Sequence, residues 1–220
     1  GQDFCGTIDL VEMKQVNFPS VSDDPAQFEV TEIDEKHLEA ANAARTVLLE
    51  ELSSYCDELL EALLEEQEVS IELIKQTMRK AVCSGEFVPV LLGSALRNRG
   101  VPPLLDAVVD YLPSPTDKGA VVGHHPAREE DEKSFLPHPD APLGALVFKT
   151  VHFSTGDLTF VRVYSGTFKP GDQLYNPRLG KTERVGRLFS VHADSKEAIE
   201  VAEAGMIVAC QGLKLCATGD

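Results

Sequence analysis

The chain has 220 residues, 43% of them hydrophobic, and a formal net charge of −16. That length supports one large or two smaller cores. With no apolar run of about 18 residues and no basic-then-apolar order in the opening GQDFCGTIDL, neither a membrane nor secretion is indicated and the cytosol is the expected compartment. Taken whole, such acidity argues against nucleic acid, but residues 1–115 carry a net −14 and residues 144–220 a net +1, which predicts two parts with different electrostatic partners.

In chain order, CGTIDLVEMKQVNF alternates well enough for one or two edge strands, with Ile8, Leu10 and Val16 as the apolar positions. A helical tract follows from Asp34 to Glu66. Its apolar residues recur at three- and four-residue steps, Ser53–Ser54 marks a bend, and acids load the opposite face. Among those acids, Glu58, Glu61 and Glu65 form either a solvated face or a docking surface for a basic protein. A second helix is expected from an N-cap at Ser70 to a glycine cap at Gly85.

The run Phe87–Leu92 is short, continuous and rich in valine and leucine, as expected of a parallel strand buried on both faces. A small-residue loop, Gly93-Ser94-Ala95-Leu96, comes next. Pro102 and Pro103 can open a helix that buries Leu104, Leu105, Val108, Val109 and Leu112 until Pro113 ends it. Such a strand–loop–helix unit puts the loop at the carboxyl end of the strand, where open α/β sheets hold ligands; taken by itself, GSAL also reads as a plain tight turn.

Residues 116–142 change character, with several prolines, a charge run from Arg128 to Lys133 and little periodicity, and are expected to be a linker. The pair His124–His125 and His138 there lack partners at metal-ligand spacing, and the five cysteines show no C-x-x-C pattern, so no metal site and no disulfide framework is expected. From residue 143 the chain breaks into short strands. In KPGD, Pro170 and Gly171 suit the corners of a type II turn. In LTFVRVYSG, Phe160, Arg162 and Tyr164 are expected to face one way and Val161, Val163 and Ser165 the other. Strands this short and numerous close best as a small barrel. Arg178, Lys181, Arg184 and Arg187 fall close together on one turn and the strand after it, and regular alternation separates Arg184 from Arg187 unless a bulge at Gly186 intervenes.

GSALRNRGVPPLLDAVVDYLPSP, LTFVRVYSG, ERVGRLFSVHAD and GLKLCATGD, in this order and spacing, resemble elongation factor G, a translational GTPase family; GTIDLVEMK resembles the stretch that opens the insert of that family's G domain. The resemblance covers essentially the whole chain. It implies an α/β part (residues 1–115, the distal G domain with its α+β insert), a linker (116–142) and an all-β translation-factor-type barrel (143–220). It further implies that Ser94, Ala95 and Leu96 are the last guanine-recognition motif, with the Ala95 N–H reaching the base. Arg178, Lys181, Arg184 and Arg187 become candidates for small-subunit ribosomal RNA, and Glu58, Glu61 and Glu65 for the basic stalk protein.

The chain contains no G-x-x-x-x-G-K-[ST], D-x-x-G or N-K-x-D motif. GTP or GDP and magnesium are therefore expected only in a parent protein that supplies those motifs upstream. This segment is expected to have no catalytic residue, no cofactor of its own and no GTPase activity, and to be a monomer that serves as a ribosome and stalk module. Met206, Cys210, Cys216 and Val161 depart from the family pattern. They leave open the elongation factor G-like paralogues for ribosome recycling or ribosome protection.

Overall fold

The computed structural model describes residues 4–18, 27–125, 128–153, 156–193 and 195–220. Residues 126 and 127 of the expected linker and Asp194 of the ERVGRLFSVHAD motif lie outside them. Contacts divide the chain between Pro113 and Ser114 into two units.

In the first unit the expected edge strands form a hairpin, β1 (Gly6–Asp9) with β2 (Lys14–Asn17), and β3 (Glu29–Thr31) adds to β2; all pairings are antiparallel. Asp9 Oδ1 shapes the hairpin turn by accepting from the Val11 and Glu12 N–H groups at 2.7 and 3.1 Å. The long helical tract splits at the serines into α1 (Glu35–Ser53) and α2 (Asp57–Leu64). The third helix, α3 (Ile71–Ser84), starts where the Ser70 hydroxyl accepts from the Leu73 N–H at 3.2 Å and stops at Gly85. Leu52, Leu59 and Ile74 are fully buried where the helices meet, and each contributes about 1.5–3 kcal/mol relative to exposure. Arg45 ties α1 to the hairpin by donating to the Leu10 and Val11 carbonyls.

Two expectations fail in this unit. Phe87–Leu92 is not a buried strand: it has no strand partner among the described residues, and although Phe87 packs edge-on against Tyr55, Val88, Val90 and Leu92 are 79%, 84% and 66% exposed. A strand that is apolar on both faces is buried only between neighbouring strands and helices, and the described residues offer none. The following helix, α4 (Val101–Tyr111), forms where its prolines allow, yet Leu104, Leu105, Val108, Val109 and Leu112 remain exposed, and Tyr111 is its one buried residue. Arg79 of α3 holds the end of α4 through the Val109 and Asp110 carbonyls.

The second unit opens on a single capped turn, α5 (Pro115–Lys118). The expected linker is not irregular. Its β4 (Val121–His125) and β5 (Arg128–Phe135) pair antiparallel, with Val121 opposite Phe135. The Phe135 ring lies where a Cβ on Gly144 or Gly123 would sit, so these glycines let the hairpin seat against the strand that follows.

That strand is β6 (Gly144–Phe153), followed by β7 (Gly156–Ser165), β8 (Thr167–Phe168), β9 (Gln173–Asn176), β10 (Lys181–Arg184), β11 (Leu188–His192), β12 (Ser195–Ile199), β13 (Ala202–Glu203) and β14 (Ile207–Cys210). Five of them form a sheet in the order β12-β11-β14-β7-β6, and β13–β8 and β10–β9 form two-stranded ladders. Val147, Val161, Val163, Phe168, Leu188 and Val208 share one core with Val185 and Ala202. As expected from alternation, Val161, Val163 and Ser165 are buried while Phe160, Arg162 and Tyr164 are partly exposed.

Candidate functional site

Ser94 and Arg99 close the GSAL loop by exchanging both backbone hydrogen bonds, at 2.8 and 3.1 Å, around a 3-10 turn at Ala95–Arg97. Glycine is required beside it: Gly100 has φ of +77°, and a Cβ there would stand 2.8 Å from the Leu92 carbonyl oxygen. The Ala95 N–H makes no hydrogen bond among the described residues, and Leu96 is 99% exposed. The chemistry fits one edge contact, an N–H donor offered to a carbonyl oxygen; Ser94 does not point a capping bond into the turn. Among the described residues no group of three or more His, Cys, Asp or Glu side chains could hold a metal ion.

Glu58, Glu61 and Glu65 are all exposed, on and just after α2, opposite the buried Leu59. Leu60 and Leu64 stand exposed among them, so the surface mixes acid with apolar area.

The four basic candidates do not act alike. The Arg178 guanidinium is held by the Asp220 carboxylate, through Nε and, at 2.8 Å, through a terminal nitrogen. Lys181, Arg184 and Arg187 are exposed. The expected separation of Arg184 from Arg187 disappears because β10 ends at Arg184 and β11 begins at Leu188. In the break, Val185 bonds back to Asp172 and Gly186 donates to the Gln211 carbonyl at 2.8 Å. A Cβ on Gly186 would stand 2.7 Å from that oxygen, so the crossing needs glycine. Arg184, Val185 and Gly186 line a shallow concavity with Pro170 and Gly171.

Sequence reasoning missed the polar clamp under this surface. Glu183, 8% exposed, accepts from the Lys214 and Leu215 N–H groups at 2.6 and 2.7 Å and from the Cys216 thiol at 3.1 Å. Asp220 adds Asn176 and the Ala217 N–H, at 2.8 and 2.7 Å, to its Arg178 pair, and its backbone bonds Val147. Together they strap the GLKLCATGD segment to β6, β9 and β10. Burial pushes the Cys210 and Cys216 thiols up to about 12, Cys216 with help from the Glu183 carboxylate that its thiol meets. Both are therefore packing thiols at neutral pH.

The Arg178 hydrogen bonds, then those from Ala217 and Asn176, hold the Asp220 carboxyl well below its ordinary value of 3.8. A carboxyl depressed on folding binds more protons when unfolded. Its contribution to stability is thus complete above about pH 4 and lost as pH falls toward the folded-state value. Asp220→Asn is expected to lower the thermal midpoint at pH 7 and to flatten its decline below pH 4, measured by circular dichroism across the acid range. Parallel acid limbs in variant and wild type would show that Asp220 titrates alike folded and unfolded.

Residues 156–220, which begin at the first residue of β7 and include every strand after it, match the family model of elongation factor Tu domain 2. A crystal structure from Thermus thermophilus is similar over 98% of this chain at a TM-score of 0.75 and 27% identity, and the match covers 29% of that protein. This chain therefore spans less than a third of that relative's length. The first likeness supports a translation-factor family for residues 156–220, and the second shows that the fold recurs in the Thermus protein.

Proposed function

We propose that the chain is a segment of an elongation factor G-type ribosomal GTPase: the distal G domain with its insert, followed by the second-domain barrel. The observation that carries this reading is the bare apolar surface of the first unit. Val88, Val90 and Leu92, with Leu105 and Val109 of α4, are more than half exposed, as one edge of an open α/β sheet is when the strands beside it are supplied by other chain. That bare segment leads into the closed loop that leaves the Ala95 N–H without a hydrogen bond among the described residues, and a base contact at that point is what an open α/β sheet would need if the segment paired as a strand in a longer chain.

In this reading GTP and magnesium are bound mainly by upstream motifs, and this segment adds the Ala95 donor, with Ser94 and Leu96 shaping the loop around it. The acidic surface of Glu58, Glu61 and Glu65 is the docking site for the basic stalk protein. Lys181, Arg184 and Arg187 approach the phosphates of small-subunit ribosomal RNA by charge neutralisation, which carries no sequence information. Arg178, already paired, supports the turn from which they project.

One backbone contact contributes about 1 kcal/mol net, far less than association costs in lost rigid-body freedom. The segment alone is therefore expected to show neither GTP hydrolysis nor guanine-nucleotide binding, whereas a longer chain with the upstream motifs binds GDP and loses affinity on Ala95→Pro, which deletes the donor. Calorimetry of GDP binding to both proteins tests this. Micromolar affinity in the segment, or unchanged affinity in the longer Ala95→Pro variant, contradicts it.

A further inference from the structure

The outer face of the five-stranded sheet carries three cations, each set against an aromatic ring. Lys149 lies over Phe160 with its Nζ 5.6 Å from the ring centre, Arg162 over Tyr164 at 5.8 Å, and Lys196 over Phe153 at 3.9 Å. The register puts them on one side. Lys149 is opposite Phe160, Arg162 stands between Leu146 and Ile207, and Lys196 is opposite Val191, while Val147, Val161 and Leu188 point into the core. A shift in register between Val147 and Lys149 leaves Phe148 outside as well, 40% exposed, with its ring 6.3 Å from that of Phe160. Phe153 and Ile207 are 43% and 54% exposed. None of the described residues that this register places on the outer face is a carboxylate, although the chain as a whole is strongly acidic.

We infer that this face is a platform for an unpaired RNA strand. Rings backed by cations on a sheet surface suit two features of such a strand at once, bases that stack and phosphates that need neutralising; duplex RNA hides its bases and offers only the second. That the polynucleotide is RNA rests on the proposed function. The platform is separate from the basic turn at Lys181 and Arg184, and it does not depend on the nucleotide-site reading, whose test is GDP affinity.

The test is fluorescence anisotropy with a labelled eight-nucleotide uridine RNA, a duplex RNA of equal charge and the matching DNA strand. Phe148→Ala and Phe153→Ala remove exposed rings outside the core, and an unchanged thermal midpoint checks folding. Stacking contributes about 1–3 kcal/mol per base, so each variant is expected to bind the unpaired RNA roughly 5- to 150-fold more weakly. Lys149→Ala with Lys196→Ala is expected to reduce the slope of log affinity against log salt by about 1.4, since each neutralised phosphate of a single strand adds about 0.7. Wild-type affinity in both ring variants overturns the platform. So does duplex RNA bound as tightly as the unpaired strand, or binding lost only on Lys181→Ala with Arg184→Ala; the DNA strand, which offers the same stacking faces and phosphates, is expected to bind comparably.

Discussion

Glu183→Ala is expected to lower the stability of the second unit by about 3 kcal/mol, because hydrogen bonds to a charged group contribute roughly 1.5–3 kcal/mol each and part of that loss is recovered by water. The carboxylate is the shared acceptor for two backbone N–H groups and a thiol from a segment 31 to 33 residues away. Removing it takes away the three short bonds that hold Lys214–Cys216 and leaves only the longer ones from Arg178 to the Leu215 carbonyl at 3.4 Å and from Asn176 to the Cys216 sulfur at 3.8 Å. For a unit of about 100 residues this corresponds to a fall of roughly 10 °C or more in the thermal midpoint. Glu183→Gln retains one carbonyl oxygen as acceptor and is expected to lose less. Circular dichroism melts of the three proteins decide: a Glu183→Ala midpoint within about 2 °C of wild type would mean that the clamp contributes little.

Val90→Asp is expected to have an effect that depends on what surrounds it. In the segment the side chain is 84% exposed, and the substitution is expected to change stability by no more than about 0.5 kcal/mol. In a longer chain that supplies the neighbouring strands, the same position becomes an interior one. An unpaired buried carboxylate there costs several kcal/mol, enough to unfold a marginal domain. Denaturant titration of both variants separates the outcomes, and equal small effects in the two contexts would place Val90 on a true surface.

The contrast between these two sites explains what was legible in the sequence. Local chemistry read correctly wherever a few neighbouring residues decide the structure. The Ser70 hydroxyl and Gly85 cap α3 as their types require, Ser53–Ser54 separates α1 from α2, and the two-residue period of β7 divides Val161 and Val163 from Phe160 and Arg162. The hairpin of β4 and β5 was hidden because prolines, histidines and charges mask its pairing, which rests on Phe135 packing at Gly123 and Gly144.

The burial expected for Val88, Val90 and the apolar face of α4 fails because an apolar pattern records which residues could be covered and not what covers them. Glu183 left no local signal, since it meets Lys214 to Cys216, and the main partner of Asp220, Arg178, lies 42 residues away. In the candidate site, the position of Ala95 in a tight loop was legible, as was the exposure of the Glu58, Glu61 and Glu65 face. The engagement of Arg178 was not, nor was the break at Val185–Arg187 that brings Arg184 and Arg187 both to solvent.

Backbone hydrogen exchange at Val88, Val90, Leu91 and Leu92 tests most directly whether this chain is one part of a nucleotide-binding domain. In the segment these residues make no strand pairing, and their amides are expected to exchange nearly as fast as in an unfolded chain. In a longer chain that carries the proposed P-loop half they are expected to form a central parallel strand, and the same amides to slow by at least a factor of about 1,000, the protection that roughly 4 kcal/mol of local stability confers. Fast exchange in both proteins would contradict the account, because Phe87–Leu92 would then be an exposed loop in its own right and the Ser94–Leu96 turn would have no sheet to place it.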